Sequence, residues 1–178
     1  MQNSMRMKIG TWLRSLRKPM MDHHPVRFSV DGKGVQSLLI ILPDQLEEYR
    51  VARHVFKSIQ QEHPDISFHF IVPTAEFIEP APSSGNGILL ITEENLDRWH
   101  LPNQAFIDSV YSRNYDVVIN LSARSNLVVD WIMRFAKSPI RIGYHSSNES
   151  HNYNLLIERK SRASLEKTYL HIQRILGL

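Results

Sequence analysis

Tyr115–Tyr144, YDVVINLSARSNLVVDWIMRFAKSPIRIGY, decides the fold. Asp116–Leu121 (DVVINL) reads as a strand and Ile140–Tyr144 as another. Between them, Asn126–Lys137 sets Leu127, Val128, Trp131, Ile132 and Phe135 at helical spacing. Strand, helix and strand in immediate succession form the unit that crosses over right-handed into a parallel sheet.

The same alternation continues outward. Ser37–Leu42 (SLLIIL) is apolar without polar alternation, as a strand covered on both faces requires. Asp44–Gln61 reads as a helix with Leu46, Val51, Val55 and Ile59 inward, and His63-Pro64-Asp65 ends it. Ser67–Val72 and Ile88–Thr92 read as strands separated by a Pro/Ser/Gly loop at 80–87. Residues 93–114 read as helical but interrupted at Pro102, Tyr153–Glu158 as a further strand, and Ala163–Leu176 as a closing helix stopped by Gly177. The sum is an α/β protein with a Rossmann-like parallel sheet of about six strands and helices on both faces. Ligands of such sheets sit beyond the carboxyl ends of the strands. The loops that open at Pro43, Pro73, Thr92, Leu121 and Tyr144 are therefore the places for chemistry.

The 178 residues suit one domain, and a hydrophobic fraction of 42% with 22% charged residues is that of a folded globule. There is no cysteine, which excludes disulfides, thiolate zinc sites and thiol catalysis. The longest aliphatic run, Leu38–Leu42, is far too short to span a bilayer. The net charge of +3 is unevenly placed: Arg6, Lys8, Arg14, Arg17 and Lys18 lie within residues 1–20, which hold no acid. The rest of the chain keeps 16 of the 21 basic residues against 18 acidic ones, so no nucleic-acid partner is expected.

Residues 1–20 carry Ile9, Trp12, Leu13, Leu16 and Met20 on one helical stripe beside those five cations. The expectation is a basic amphipathic helix over 1–20, a linker over 21–36 and one domain over 37–178. Trp12, Leu13 and Leu16 with Arg6, Lys8, Arg14, Arg17 and Lys18 would bind an anionic membrane surface, or else pack on the domain itself.

No glycine-rich dinucleotide fingerprint follows the first strand, and no P-loop, G-x-S-x-G or H-E-x-x-H motif occurs. No cofactor and no metal are expected, and the His23-His24 pair reads as incidental linker sequence. Two loops stand out. Pro43-Asp44-Gln45-Leu46-Glu47-Glu48 opens a helix, whose positive end favours carboxylates there with or without a catalytic role. Leu121-Ser122-Ala123-Arg124-Ser125-Asn126 offers hydroxyls, an amide and a guanidinium suited to an anion or a sugar. Its plainer use is helix capping by Ser125 or Ser122.

Tyr115–Tyr144 resembles the segment of family 9 glycosyltransferases, the ADP-heptose:lipopolysaccharide heptosyltransferases, that runs Y-D, an apolar strand, a polar loop, a helix and R-I-G-Y. The strand–helix unit closing on His63-Pro64 and the final YLHIQRILGL resemble that family's N-terminal domain as well, so the likeness covers roughly residues 37–178. It implies one half of a GT-B fold, the acceptor side. The family's Gly-Asp pair, whose aspartate activates the acceptor hydroxyl, falls on Glu47-Glu48, so the carboxylate persists one methylene longer and the glycine is lost. The family's aspartate on the fourth strand is Asn120. Glu48 becomes the candidate catalytic base, and Asn120, Ser122, Arg124, Ser125 and Asn126 the candidate substrate-binding residues.

The chain ends where that family's donor domain would begin. The expected function is accordingly a stand-alone acceptor-domain homologue, a non-catalytic binding or assembly module, cytoplasmic and close to the inner membrane, in lipopolysaccharide biosynthesis. The alternative is the acceptor half of a glycosyltransferase completed by a separate donor-domain protein.

Overall fold

In a computed structural model of the chain, residues 34–73, 87–145, 152–158 and 165–178 are described. The sequence's most apolar run explains the architecture. Strand β1 (Ser37–Ile41) lies at the centre of the sheet, paired in parallel with β2 (Ser67–Val72) on one side and β4 (Val117–Asn120) on the other. Leu38 and Ile40 face one core, Leu39 and Ile41 the other, and all four are fully buried. A run with no polar alternation is what two covered faces demand.

The described residues build a six-stranded, all-parallel sheet in the order β3-β2-β1-β4-β5-β6, with β3 at Ile88–Leu90, β5 at Ile140–Tyr144 and β6 at Leu155–Ile157. Helices α1 (Leu46–Glu62) and α4 (Leu165–Leu176) cover one face, while α2 (Gln104–Tyr111) and α3 (Leu127–Arg134) cover the other. Phe56 of α1 and Tyr169 of α4 are both fully buried and meet with ring centroids 6.0 Å apart. The Rossmann-like parallel sheet is thus present. Its strand order reverses between β1 and β4, which places the ligand crevice of such a sheet at their carboxyl ends.

Three details differ from the sequence reading. Tyr49, Ala52, Val55, Phe56 and Ile59 form the inner face of α1, while Leu46, in its first turn, stays 43% exposed. Residues 93–114 are not one interrupted helix. A 3-10 turn at Glu93–Asn95 is followed by a bridge between Leu96 and Pro102, and only then by α2. Asp97 Oδ1 accepts from the backbone N–H groups of Trp99 and Leu101, and His100 takes a positive φ of 57°. Such local side-chain bonds give the backbone an alternative to helix. Thirdly, β6 is shorter than Tyr153–Glu158 because Tyr153 leaves the ladder to pack on β5.

Candidate functional site

The loops after β1 and β4 are the two that flank the strand-order reversal, and they bond to each other. Asn126 Nδ2 donates to Asp44 Oδ2 at 3.2 Å. The side-chain amide oxygen of Gln45 faces the guanidinium of Arg124, 2.8 Å from Nη1. These contacts join residues about eighty positions apart and tie the loops that open α1 and α3 to each other. Arg124 and Ser125 remain exposed. A guanidinium whose partner is a neutral amide can still offer its fork to a carboxylate or phosphate.

The five candidate binding residues do different things. Asn120 is buried; its Oδ1 accepts from the Ser122 N–H at 2.9 Å and its Nδ2 donates to the Tyr153 hydroxyl at 2.8 Å. Ser122 is buried as well, which leaves its backbone as the part that shapes the loop. Asn126 is the N-cap of α3, accepting from the N–H groups of Val128 and Val129. The capping role that the sequence suggested for Ser122 or Ser125 therefore belongs to Asn126, the residue immediately before the helix, where asparagine is among the strongest caps. Ser125 Oγ instead donates to Asp130 Oδ2 at 3.2 Å.

Glu48 lies in the first turn of α1 with Glu47, half-buried where Glu47 is exposed. Gln45 occupies the N-cap position of that helix without a side-chain capping bond, because its amide is turned to Arg124. The crevice therefore gathers Asp44, Gln45, Arg124 and Asn126, with Glu48 one turn into the adjoining helix. Gln45 and Asp44 were legible only as helix-opening residues, since their partners come from another part of the chain.

Other polar groups are buried away from this crevice. His69, on β2, bonds through Nε2 to Arg113 and stands edge-on to Tyr115, and burial, helped by the Arg113 charge, pushes its pKa below the usual histidine value. Arg141, on β5, is 4% exposed and donates to the carbonyl of Ala136, just beyond the end of α3. Burial lowers its pKa, and the nearby Tyr111 hydroxyl opposes that shift. A cation at the carbonyl end of a helix is favourably placed.

Among the described residues no group of three or more histidine and carboxylate side chains gathers as a metal site. No helix among them is long and apolar enough to cross a membrane. The candidate membrane-binding residues Arg6, Lys8, Trp12, Leu13, Arg14, Leu16, Arg17 and Lys18, and the 21–33 part of the linker, lie outside the described residues.

The fold is that of one half of a family 9 glycosyltransferase. The chain is similar to the E. coli heptosyltransferase WaaC with ADP, at a TM-score of 0.59 and 20% identity over 80% of this chain and 47% of that one. It is similar to the glycosyl transferase family 9 protein from Veillonella parvula, at a TM-score of 0.54 and 14% identity over 80% of this chain and 41% of that one. It is also similar to E. coli ADP-heptose lps heptosyltransferase II, at a TM-score of 0.51 and 15% identity over 72% and 36% of the two chains. The chain thus spans less than half the length of these structures. No curated protein matches it in sequence. A family model does match, over residues 13–172, and by it the chain belongs to DUF6913, a family of unknown function.

Proposed function

We propose that this glycosyltransferase-like half-domain is a binding module that takes an anionic sugar at the β1/β4 crevice. The observation that carries the proposal is the pair of contacts Asp44–Asn126 and Gln45–Arg124, which fixes an exposed guanidinium at the strand-order reversal. A guanidinium selects a carboxylate or phosphate, and the surrounding hydroxyl and amide groups suit sugar oxygens. Asn120 and Asn126 are amides engaged within the protein and supply no acid or base, so they serve to shape a binding loop. Calorimetry with glucuronate and glucose 6-phosphate is expected to give saturable heat, while ADP-sugars and UDP-sugars at millimolar concentration give none. Saturable binding of a nucleotide sugar in the micromolar range would overturn the module reading and make the domain a donor-binding one.

A second reading rests on the position of Glu48. Half-buried one turn above Gln45, it would deprotonate an acceptor hydroxyl if a separate protein supplied the donor domain. Its extra methylene relative to an aspartate displaces the carboxylate by about a bond length, and misplacement of roughly 1 Å can cost on the order of a hundredfold in rate. Glu48→Gln assayed with such a partner is expected to abolish transfer under this reading, and unchanged transfer refutes it.

In both readings the basic segment at residues 1–20 holds the protein at the inner membrane and so near lipopolysaccharide synthesis. Sedimentation with anionic vesicles is expected to bring down the full chain in a salt-sensitive manner. Equal sedimentation of the Trp12→Ala/Leu13→Ala/Leu16→Ala variant would remove that stripe from the membrane contact.

A further inference from the structure

We infer that Tyr153 is the positioning residue of the β1/β4 crevice, holding the 121–126 loop from the far side of β5. The inference rests on the binding role proposed for that loop. Three observations carry it. Gly143, the glycine of the RIGY run, has no side chain where a Cβ would lie 2.4 Å from Tyr153 Cε1, so the ring packs directly on the backbone of β5. The ring's hydroxyl, thereby carried across to β4, accepts from Asn120 Nδ2, and Asn120 Oδ1 accepts from the Ser122 N–H. The preceding residue, Asn152, is buried and donates to the carbonyl of Asp130, whose carboxylate accepts from Ser125 Oγ.

Asn152 and Tyr153 together therefore reach both sides of the candidate loop: Ser122 through Asn120, and Ser125 through Asp130. The hydroxyl is not needed to fill space, because the ring does that. Its contribution is orientational. With an acceptor for Nδ2, the Asn120 amide has one preferred orientation, with its oxygen toward Ser122. Without that acceptor, a buried donor is left unmet, the amide loses the contact that fixes its orientation, and its hold on the Ser122 N–H weakens. The loop that carries Arg124 then samples other shapes.

The test compares the full-length chain with Tyr153→Phe, using amide hydrogen exchange at Ser122 and calorimetry with glucuronate. Tyr153→Phe keeps the ring on Gly143, so a folded protein is expected in which the Ser122 amide exchanges roughly tenfold faster and glucuronate binds several-fold more weakly. Unchanged exchange at Ser122 in the folded variant overturns the inference. If Tyr153→Phe does not fold, Asn120→Asp decides, since the tyrosine hydroxyl can then donate to the carboxylate and the second oxygen still accepts from Ser122. Preserved Ser122 protection in Asn120→Asp supports the relay, and its loss overturns it. Should the unaltered chain bind neither glucuronate nor glucose 6-phosphate, the proposed function fails, while the exchange at Ser122 still judges the role of Tyr153.

Discussion

The two ends of the β1–β4 seam are tied together by different chemistry. At the amino edge, Asp116 Oδ2 accepts from the backbone N–H groups of Gln36 and Ser37, both at 2.9 Å, and from Ser37 Oγ at 3.0 Å. The Asp116 N–H returns a bond to the Ser37 carbonyl. At the carboxyl edge the ties are side chain to side chain, Asp44 with Asn126 and Gln45 with Arg124. A carboxylate oxygen bound to two backbone donors and a hydroxyl fixes the register of β1 against β4. Two cross-loop side-chain contacts fix a shape while keeping an exposed cation. The amino edge ties backbone to carboxylate, whereas the carboxyl edge is where the proposed ligand would sit, although neither carries a conspicuous motif.

The largest expected effect tests the amino edge. Asp116→Ala removes a carboxylate that accepts three bonds at the start of two central strands, and should cost about 2–3 kcal/mol in chemical denaturation. Asp116→Asn keeps one acceptor oxygen and should recover part of that loss. Glucuronate binding by either folded variant should be unchanged. A binding defect as large as the stability defect would show that the two edges are not separable.

A smaller effect comes from His69, on β2 and away from the crevice. Its folded pKa lies below the ordinary 6.5, first because it is buried and second because Arg113 is beside it. At pH values below about 6.5 the unfolded chain takes up a proton that the folded chain refuses, so ν for the unfolded state exceeds that of the native state and stability rises with pH. The contribution is complete above 6.5 and declines as pH falls from there toward the folded pKa. His69→Gln retains an acceptor for Arg113 without titrating. Urea denaturation at a series of pH values should give a shallower acid decline in His69→Gln than in the unaltered protein. Parallel declines would show that His69 is not the source of the acid sensitivity.

The sheet was legible because its central strands are long enough and apolar enough to need two covered faces: SLLIIL and DVVINL have no other use in a protein of this size. The 93–103 stretch was not, since Asp97 bonds to the backbone two and four residues ahead, and a helical composition gives no warning of that. Within the site, the loop pair was visible as helix-opening sequence, and Asn126 directly before Leu127 carried a capping signal as strong as either serine. The bonds from Asp44 to Asn126 and from Gln45 to Arg124 were not visible, because only the parallel register of β1 with β4 brings these residues together. The role of Gly143 was hidden for the same reason. Its need is set by Tyr153, which arrives from beyond the next loop.

The smallest expected effect on stability is at Arg124, and it bears hardest on the contrast between the edges. The side chain is exposed and faces the neutral amide of Gln45, so Arg124→Ala should change stability by no more than about 0.5 kcal/mol. Gln45 would lose its partner, but at a half-exposed position water replaces it. Glucuronate binding should fall by about tenfold or more, since a charge-assisted, two-pronged contact is lost. Arg124→Lys sharpens the point. It keeps the charge but not the fork, and it cannot meet both Gln45 and a carboxylate with the same planar geometry. If geometry matters, Arg124→Lys should bind much closer to Arg124→Ala than to the unaltered protein. If only charge matters, it should bind nearly as well as arginine, with a steeper loss in salt. An Arg124→Ala variant that binds normally but is measurably less stable would reverse the assignment, making the carboxyl edge a second structural tie like that of Asp116.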